Sequence, residues 1–517
     1  MSVYDTTLRD GAQSEGVSFS TEDKLDILRH LDDFGVDFIE GGYPGSNPKD
    51  KAFFEAARTV DLSRSKLVGF GSTCKTGVCA WEDKGIQSLL EADTEWVCIF
   101  GKSWDLQVER ALQCSLEENL RMVEDSVSTL KKEGRRVIFD AEHFFDGWKN
   151  NGGYALQVLE TAARAGAEWL VLCDTNGGTF PDDVGRAVKQ CRDRFDVPLG
   201  VHAHNDTELA VANSLAAVDA GASMVQGTIN GLGERCGNAN LCSIIPNLMI
   251  KRGVATNIPD VKGLTTLANF VGEIANISPD PKLPFVGRSA FAHKGGVHVS
   301  AVLKDSRTYE HMDPTLVGNQ RRILVSELSG TSTMVAKAKE LGIDTEKEGG
   351  KAILDRLKDL ESEGFQFEAA EASFELLIKR LRGQSQPYFR LDGFRIFVDV
   401  SGNTMRSEAS VKVVDPNGLV EHTASEGNGP VNALDKAVRK ALERFYPEIG
   451  HIRLIDYKVR VIDASAATEA TVRVLIRSTD GAMTWTTVGV STNIIEASLM
   501  ALIDSIEYKL MKSMETG

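Results

Sequence analysis

The sequence has eight cysteines among its 517 residues but no CxxC pair. The nearest spacings, Cys74/Cys79 and Cys236/Cys242, match no usual zinc signature. Scattered in this way they read as reduced thiols of a cytosolic enzyme rather than a disulfide framework. A basic surplus is also missing. The net charge of −16 repels nucleic acid and anionic membrane surfaces, so neither is an expected partner. Small anionic substrates stay open, because a site can be locally positive. No run approaches the roughly 18 apolar residues of a membrane span. No apolar or Arg/Ser-rich leader precedes the first motif, so the expected location is the cytoplasm. The apolar and charged shares are those of an ordinary globular chain, and the length implies two or three domains.

The first half repeats one pattern: a short apolar run, a polar or Gly-rich stretch, then a helical period. Predicted strands are Val3–Leu8, Phe38–Gly41, Lys66–Phe70, Trp96–Phe100, Arg136–Asp140, Trp169–Cys173, Leu199–His202 and Met224–Gly227. Amphipathic helices fall between them, for example Thr21–Phe34, Leu116–Lys132, Tyr154–Ala165 and Asp206–Ala220. Ser20, Asn151 and Asn205 stand at N-cap positions, and Gly35, Gly134, Gly166 and Gly221 at helix ends. Alternating strands and helices imply a parallel sheet, and eight units imply closure into a (β/α)₈ TIM barrel over residues 1–270. Residues 271–385 read as a linker of small helical subdomains, with helices at Thr333–Leu341, Lys351–Glu363 and Ala369–Leu381. Residues 386–517 read as an α+β domain with an internal repeat, since Glu408-Ala-Ser-Val-Lys-Val recurs as Glu469-Ala-Thr-Val-Arg-Val. Each copy continues through a turn (Asp415-Pro-Asn-Gly; Ser478-Thr-Asp-Gly) and ends in a helix, Val431–Phe445 or Ile494–Leu510. Such a module dimerises, binds a small ligand between its units, or serves as a structural piece only.

In a barrel the reacting groups sit at the C-terminal ends of strands. Those ends are polar here: Arg9-Asp10, Glu40, Asp140-Ala-Glu142-His143, Asp174-Thr175-Asn176, His202-Ala-His204-Asn205-Asp206, then Asn230, Glu234 and Asn238. Side chains at i and i+2 of a strand share a face, so His202 and His204 are placed to grip one metal ion or, more plainly, to face solvent from a loop. Asp10 from another strand is the best-placed acidic ligand, and Asn238 offers a neutral oxygen. Two imidazoles and a carboxylate suit Zn²⁺, Mn²⁺ or Co²⁺, with Mg²⁺ sufficient in use. Arg9 stabilises a developing oxyanion or forms a structural ion pair with a strand-end carboxylate such as Glu40. Glu142 is an acid or base, or a partner that orients a metal-bound histidine. His293 and His298, in a Gly-rich segment outside the barrel, read as ordinary loop histidines or as groups folding over a site.

Taken together these motifs carry a family likeness. Asp5-Thr-Thr-Leu-Arg-Asp-Gly-Ala-Gln13 and His202-Ala-His-Asn-Asp206 resemble the opening signature and metal motif of the DRE-TIM metallolyases. Asn230-Gly-Leu-Gly-Glu-Arg-Cys-Gly-Asn238 is similar to their glycine-rich stretch. Ala292-His-Lys-Gly-Gly-Val-His298 and the C-terminal repeat resemble the acetyl-CoA-dependent Claisen synthases, a branch that includes 2-isopropylmalate, homocitrate and citramalate synthases. Within that branch, Asp140-Ala-Glu-His-Phe-Phe-Asp-Gly-Trp-Lys149 looks most like the long-form (R)-citramalate synthases. The related lyases carry a Gly-Gly-Cys-Pro loop, where this chain reads Gly-Glu-Arg-Cys-Gly.

The resemblance implies a divalent metal on Asp10, His202 and His204, with Asn238 as a fourth position. It implies that Arg9 polarises a keto group, that Glu142 and Thr175 contact a 2-oxo acid, and that His298 from a partner subunit works with Glu142 in acid–base chemistry. Tyr309 is a further carry-over on the same subdomain. The implied reaction joins acetyl-CoA to pyruvate and releases CoA, in a homodimer with isoleucine as effector. Two alternatives are the same chemistry on 2-oxoisovalerate and an inactive metal- and effector-binding homologue.

Overall fold

Period-two alternation in eight short strands explains the first half of the molecule. The strands are β1 (Ser2–Asp5), β2 (Phe38–Gly42), β3 (Lys66–Ser72), β4 (Trp96–Lys102), β5 (Arg136–Glu142), β6 (Trp169–Asp174), β7 (Leu199–Ala203) and β8 (Met224–Gly227). They pair in sequence order, and β8 pairs in parallel with β1 to close the barrel. Ile39, Val97, Ile99, Val137, Phe139, Leu170, Leu172 and Val201 face outward into the core shared with the helices. Phe38, Val68, Trp96, Ile138, Val171 and Met224 pack inside the barrel. Two residues further along each strand, the same inward face carries Glu40, Phe70, Cys98, Asp140, Cys173 and Gln226. The apolar interior therefore gives way to polar groups toward the strand C-termini, which is where a site belongs in this fold.

The computed structural model describes residues 1–325, 330–340, 346–384, 387–401, 404–462 and 470–516. The chain forms two compact units. One comprises Met1–Phe291 with Met312–Arg321, the other Ala292–His311 with Arg322–Gly517. In the first unit, Ser20 starts the helix Thr21–Phe34 with a capping box, its Oγ accepting from Asp23 N at 3.1 Å while its own N–H donates to Asp23 Oδ2 at 2.7 Å. Gly35 ends that helix at φ +95°.

Several expected bounds shift. β1 stops at Asp5 rather than Leu8, because Thr7 N and Oγ1 donate to the Asp5 carboxylate and turn the chain. β3, β4 and β5 each run two residues past their predicted ends, since parallel pairing continues to Ser72↔Phe100 and Lys102↔Glu142. The helix expected from Tyr154 begins at Phe144 and breaks at Asn151, whose Oδ1 accepts from Tyr154 N at 3.3 Å, so Asn151 caps the second segment. The helix expected from Asp206 starts at Ala210; Asn205 Oδ1 reaches Ala210 N at 3.2 Å from outside a turn.

In the second unit, Ala292–His293 pairs in parallel with Arg322–Ile323, and the short helix Gly296–Val302 follows the first of these strands. Helices Thr331–Glu340, Lys347–Ser362 and Glu371–Leu381 come next. The repeat then forms two antiparallel sheets, Arg390–Ser401/Thr404–Val414/Val420–Gly427 and Arg453–Val461/Val472–Thr479/Thr484–Ser491. Each is followed by a helix, Pro430–Leu442 or Ile494–Thr516. Each copy thus opens with one strand more than the sequence pattern suggests. Leu341, Glu469 and the 385/386 boundary lie outside the described residues.

Candidate active site

The turn after β1 presents Arg9 and Asp10 to the barrel mouth. Ile229 N donates to Thr7 Oγ1 at 2.9 Å and ties this turn to the segment after β8. Glu40, fully buried in the middle of β2, accepts from Arg9 Nε at 2.5 Å, Thr6 Oγ1 at 2.5 Å and Tyr4 OH at 2.7 Å. Arg9 Nη1 donates to Asp10 Oδ2 at 3.1 Å, and the guanidinium lies 3.8 Å over the Phe70 ring. Burial alone would lower the Arg9 pKa, but Glu40 and Asp10 outweigh it and hold the pKa above its ordinary value. Both roles expected of Arg9 are thus compatible. The ion pair with Glu40 fixes the plane of the guanidinium, and its remaining N–H donors are left for other work.

Asp10, His202 and His204 converge. His202 Nε2 is 3.5 Å and His204 Nε2 4.0 Å from Asp10 Oδ2, and the two Nε2 atoms are 3.3 Å apart. All three residues are buried, and among the described residues they form the one group of at least three His, Cys or acidic ligands placed to hold a metal ion. Burial by itself raises the Asp10 carboxyl, yet Arg9, the two histidines and Asn238 hold it at about 2. Burial pushes both imidazoles below their ordinary value, His204 to about 4. At neutral pH the cluster is therefore one carboxylate and two neutral imidazoles, the protonation state in which these groups ligate a metal. Asp10 Oδ1 and Asn238 Oδ1 are buried without a hydrogen-bond partner. Unsatisfied buried oxygens cost free energy unless something cationic takes them up, so the donor set fits a divalent ion.

The second ring nitrogen of His202 also has a fixed partner. Nδ1 donates to Gln226 Oε1 at 2.9 Å, and Gln226 Nε2 donates to Asp140 Oδ1 at 3.1 Å. Burial, and then Glu40, raise the Asp140 carboxyl to about 7. Sequence reasoning gave Gln226 no role; its signal was a polar residue within a buried four-residue strand.

The glycine-rich stretch folds back on β7. Asn205 N donates to Gly237 O and Ala239 N to Ala203 O, both at 2.9 Å. A Cβ at Gly233 would meet Asn238 Nδ2 at 2.1 Å, and one at Gly237 would meet Gly231 O at 2.0 Å, with φ at +89°. Only glycine allows the close approach that carries Asn238 to Asp10.

A cavity of about 670 Å³ opens at this mouth, lined by Arg9, Asp10, Glu142, Thr175, His202 and His204 among others. Thr175 Oγ1 accepts from His143 N at 2.8 Å, which leaves its hydroxyl hydrogen free to donate. Glu142 forms an ion pair with Lys102 at the end of β4, a partner that sequence reasoning missed. His298 and Tyr309 lie in the second unit, where their rings stack with centroids 4.0 Å apart. His293 Nε2 meets Glu310 Oε1 at 3.0 Å in the same unit.

Comparison with known proteins adds to this geometry. The HMGL-like family matches residues 1–271, the homocitrate synthase post-HMGL domain-like family residues 285–364, and the LeuA allosteric (dimerisation) domain residues 368–510. An (R)-citramalate synthase of Aquifex aeolicus is 57% identical, with 100% of this chain and 98% of that protein covered. The chain belongs to the (R)-citramalate synthase branch of the HMGL-like family. An (R)-citramalate synthase of Synechocystis is 52% identical over 98% of this chain and 96% of that protein. A 2-isopropylmalate synthase of Methanocaldococcus jannaschii is more distant from this chain, at 34% identity over 99% of this chain and 95% of that protein. No helix among the described residues is long and apolar enough to cross a membrane.

Proposed function

We propose that this chain is an acyltransferase that condenses acetyl-CoA with pyruvate to give (R)-citramalate and CoA. The observation that carries the reading is the buried Asp10/His202/His204 cluster beside a fixed Arg9, in a cavity that also holds Glu142 and Thr175. Asp10, His202 and His204 would hold a divalent metal, with Asn238 as the fourth donor. Bound there, a divalent cation supplies Lewis-acid polarisation of the keto group. Arg9, held by Glu40, directs its remaining donors at the keto oxygen as that oxygen gains charge. Thr175 donates to the substrate carboxylate and sets its orientation.

Proton transfer falls to Glu142, oriented by Lys102, and to a His298 supplied by a partner subunit, with Tyr309 stacked on that histidine within its own unit. Loss of a methyl proton gives the acetyl-CoA enolate, whose carbon forms a bond to the keto carbon of pyruvate. The keto oxygen ends as a hydroxyl. Hydrolysis of the thioester then releases CoA and makes the sequence effectively irreversible.

The C-terminal repeat serves dimerisation and effector binding, with isoleucine as the effector. In support, the first strand of each copy exposes apolar side chains, Phe397, Val398 and Val400 in one and Ile455, Val459 and Val461 in the other. The cytoplasm is the working location.

The test is CoA release followed with a thiol reagent. Acetyl-CoA is supplied with pyruvate, 2-oxobutyrate, 2-oxoisovalerate or 2-oxoglutarate, with and without a chelator. Chelator-sensitive release that is fastest with pyruvate is expected. Preference for 2-oxoisovalerate would keep the mechanism and move the substrate to that of the 2-isopropylmalate synthases. No release with any acid would overturn the Claisen mechanism.

A further inference from the structure

A second cavity, of about 510 Å³, lies wholly within the second unit. Three segments meet there: Lys294 from the His-Lys-Gly-Gly motif, the C-terminal end of the helix Lys347–Ser362 with the turn that follows it, and two strands of the second C-terminal sheet. Its charged lining is Lys294, Lys358, Arg460 and Arg473 against Glu361 and Glu368. In a chain of net charge −16 this is a local reversal of sign.

Three of the four cations lack an ion pair among the described residues. Lys294 pairs with Glu368 at 2.7 Å, but among the described residues Lys358, Arg460 and Arg473 have no ion-pair partner. Arg460 and Arg473 are direct partners in the antiparallel register of their strands, so their side chains rise from the same face. Like charges so placed destabilise a sheet. Arg473 is also held rigidly, donating from Nε to Gly364 O at 2.6 Å and from Nη1 to Gln366 Oε1 at 2.7 Å. Burial and the facing Arg460 push its guanidinium below the ordinary value, against a smaller opposing pull from Glu361. Two aligned guanidinium groups with a lysine beside them, around a concavity of ligand size, have the chemistry that recognises phosphate oxygens.

We propose that this pocket binds a phosphate-bearing polyanion through Arg460, Arg473 and Lys358. Its occupant bridges the C-terminal sheet and the segment that carries His293 and His298, by way of Lys294. The shared chemistry is a diphosphate group, which a free nucleotide and coenzyme A both supply.

The test uses the full-length protein and isothermal titration with inorganic pyrophosphate, ADP and CoA in separate arms. Arg460→Glu and Lys358→Glu are the variants, since both residues are exposed and neither anchors the fold. Pyrophosphate is expected to bind at one site per chain, more weakly as salt rises. Each variant should weaken binding by at least about tenfold, the scale of a lost charge-assisted contact. Only the component of binding lost in Arg460→Glu is compared: a tighter ADP component identifies a nucleotide, and a tighter CoA component identifies the coenzyme. Absence of pyrophosphate binding, or affinities unchanged in both variants, overturns the proposal. Because the readout is binding, it is independent of which 2-oxo acid is turned over.

Discussion

Gln226 Oε1 accepts a hydrogen bond from His202 Nδ1 at 2.9 Å. That one contact determines which nitrogen of His202 faces Asp10 and His204. With the proton on Nδ1, the lone pair sits on Nε2, inside the cluster. Gln226 is oriented in turn by Asp140, so the tautomer is fixed by a buried chain of three side chains. Replacing Gln226 with Leu should lower divalent-metal affinity by about 10- to 100-fold, the usual cost of losing such a partner. Chelator competition on the purified protein measures this without turnover. Unchanged affinity would remove Gln226 from the site.

Glu142 lies outside the cluster and is paired with Lys102. Glu142→Gln keeps the shape of the side chain and removes its ability to exchange a proton. A fall in kcat of about 10²- to 10⁴-fold is expected, with metal affinity unchanged. Steady-state kinetics beside metal titration separates the two effects. A matching loss of metal would make Glu142 a ligand-shell residue instead.

Gly237→Ala tests the glycine-rich fold. The new Cβ would stand 2.0 Å from Gly231 O at a positive φ, so the stretch must move and carry Asn238 with it. A cost of roughly 2–4 kcal/mol in thermal stability, with weaker metal binding, is expected. A variant with wild-type stability and affinity would show that Asn238 is positioned by other contacts.

Asp32 is a structural counterpart to Asp10. Its carboxylate accepts from the backbone N–H groups of Ser63, Arg64 and Ser65 at 2.9, 2.9 and 2.7 Å. Burial opposes ionisation, but these hydrogen bonds outweigh it and hold the pKa below its ordinary value. A depressed folded-state pKa stabilises the fold above the unfolded carboxylate value near about 4, and that stability is lost as pH falls through the folded value. Asp32→Asn should therefore cost about 2–4 kcal/mol at neutral pH. The gap between wild type and variant should narrow in acid, as read by thermal denaturation at stepped pH. A gap that is constant down to pH 2 would exclude the linkage.

Much of the site was legible one element at a time. Asp10, Glu142, His202 and His204 were picked out because polar residues sat at the ends of apolar runs, and Thr175 came in through the family resemblance. The structure shows why that signal works: Ile138 packs inside the barrel and Asp140, two residues on, continues the same inward face. Gln226 and Lys102 escaped notice because neither stands out locally. Each matters through a partner on another strand, His202 for one and Glu142 for the other. The extra first strand of each C-terminal repeat was missed for a related reason. Arg453–Val461 mixes charged and apolar residues on a largely exposed strand, and only its register with Val472–Thr479 marks it as part of a sheet.

Residue order along the chain was enough to specify the eight barrel strands, the helix caps at Ser20 and Gly35, and the residue kinds at each strand end, since all of these depend on neighbours within a turn or two. Barrel closure was needed for the rest. Pairing β8 with β1 brings Asp10 within 3.5 Å of a histidine 192 positions later. Distances of that kind, the tautomer of His202, and the approach of Arg460 to Arg473 are properties of strand register. Register is a long-range consequence of packing, and no local stretch of sequence encodes it.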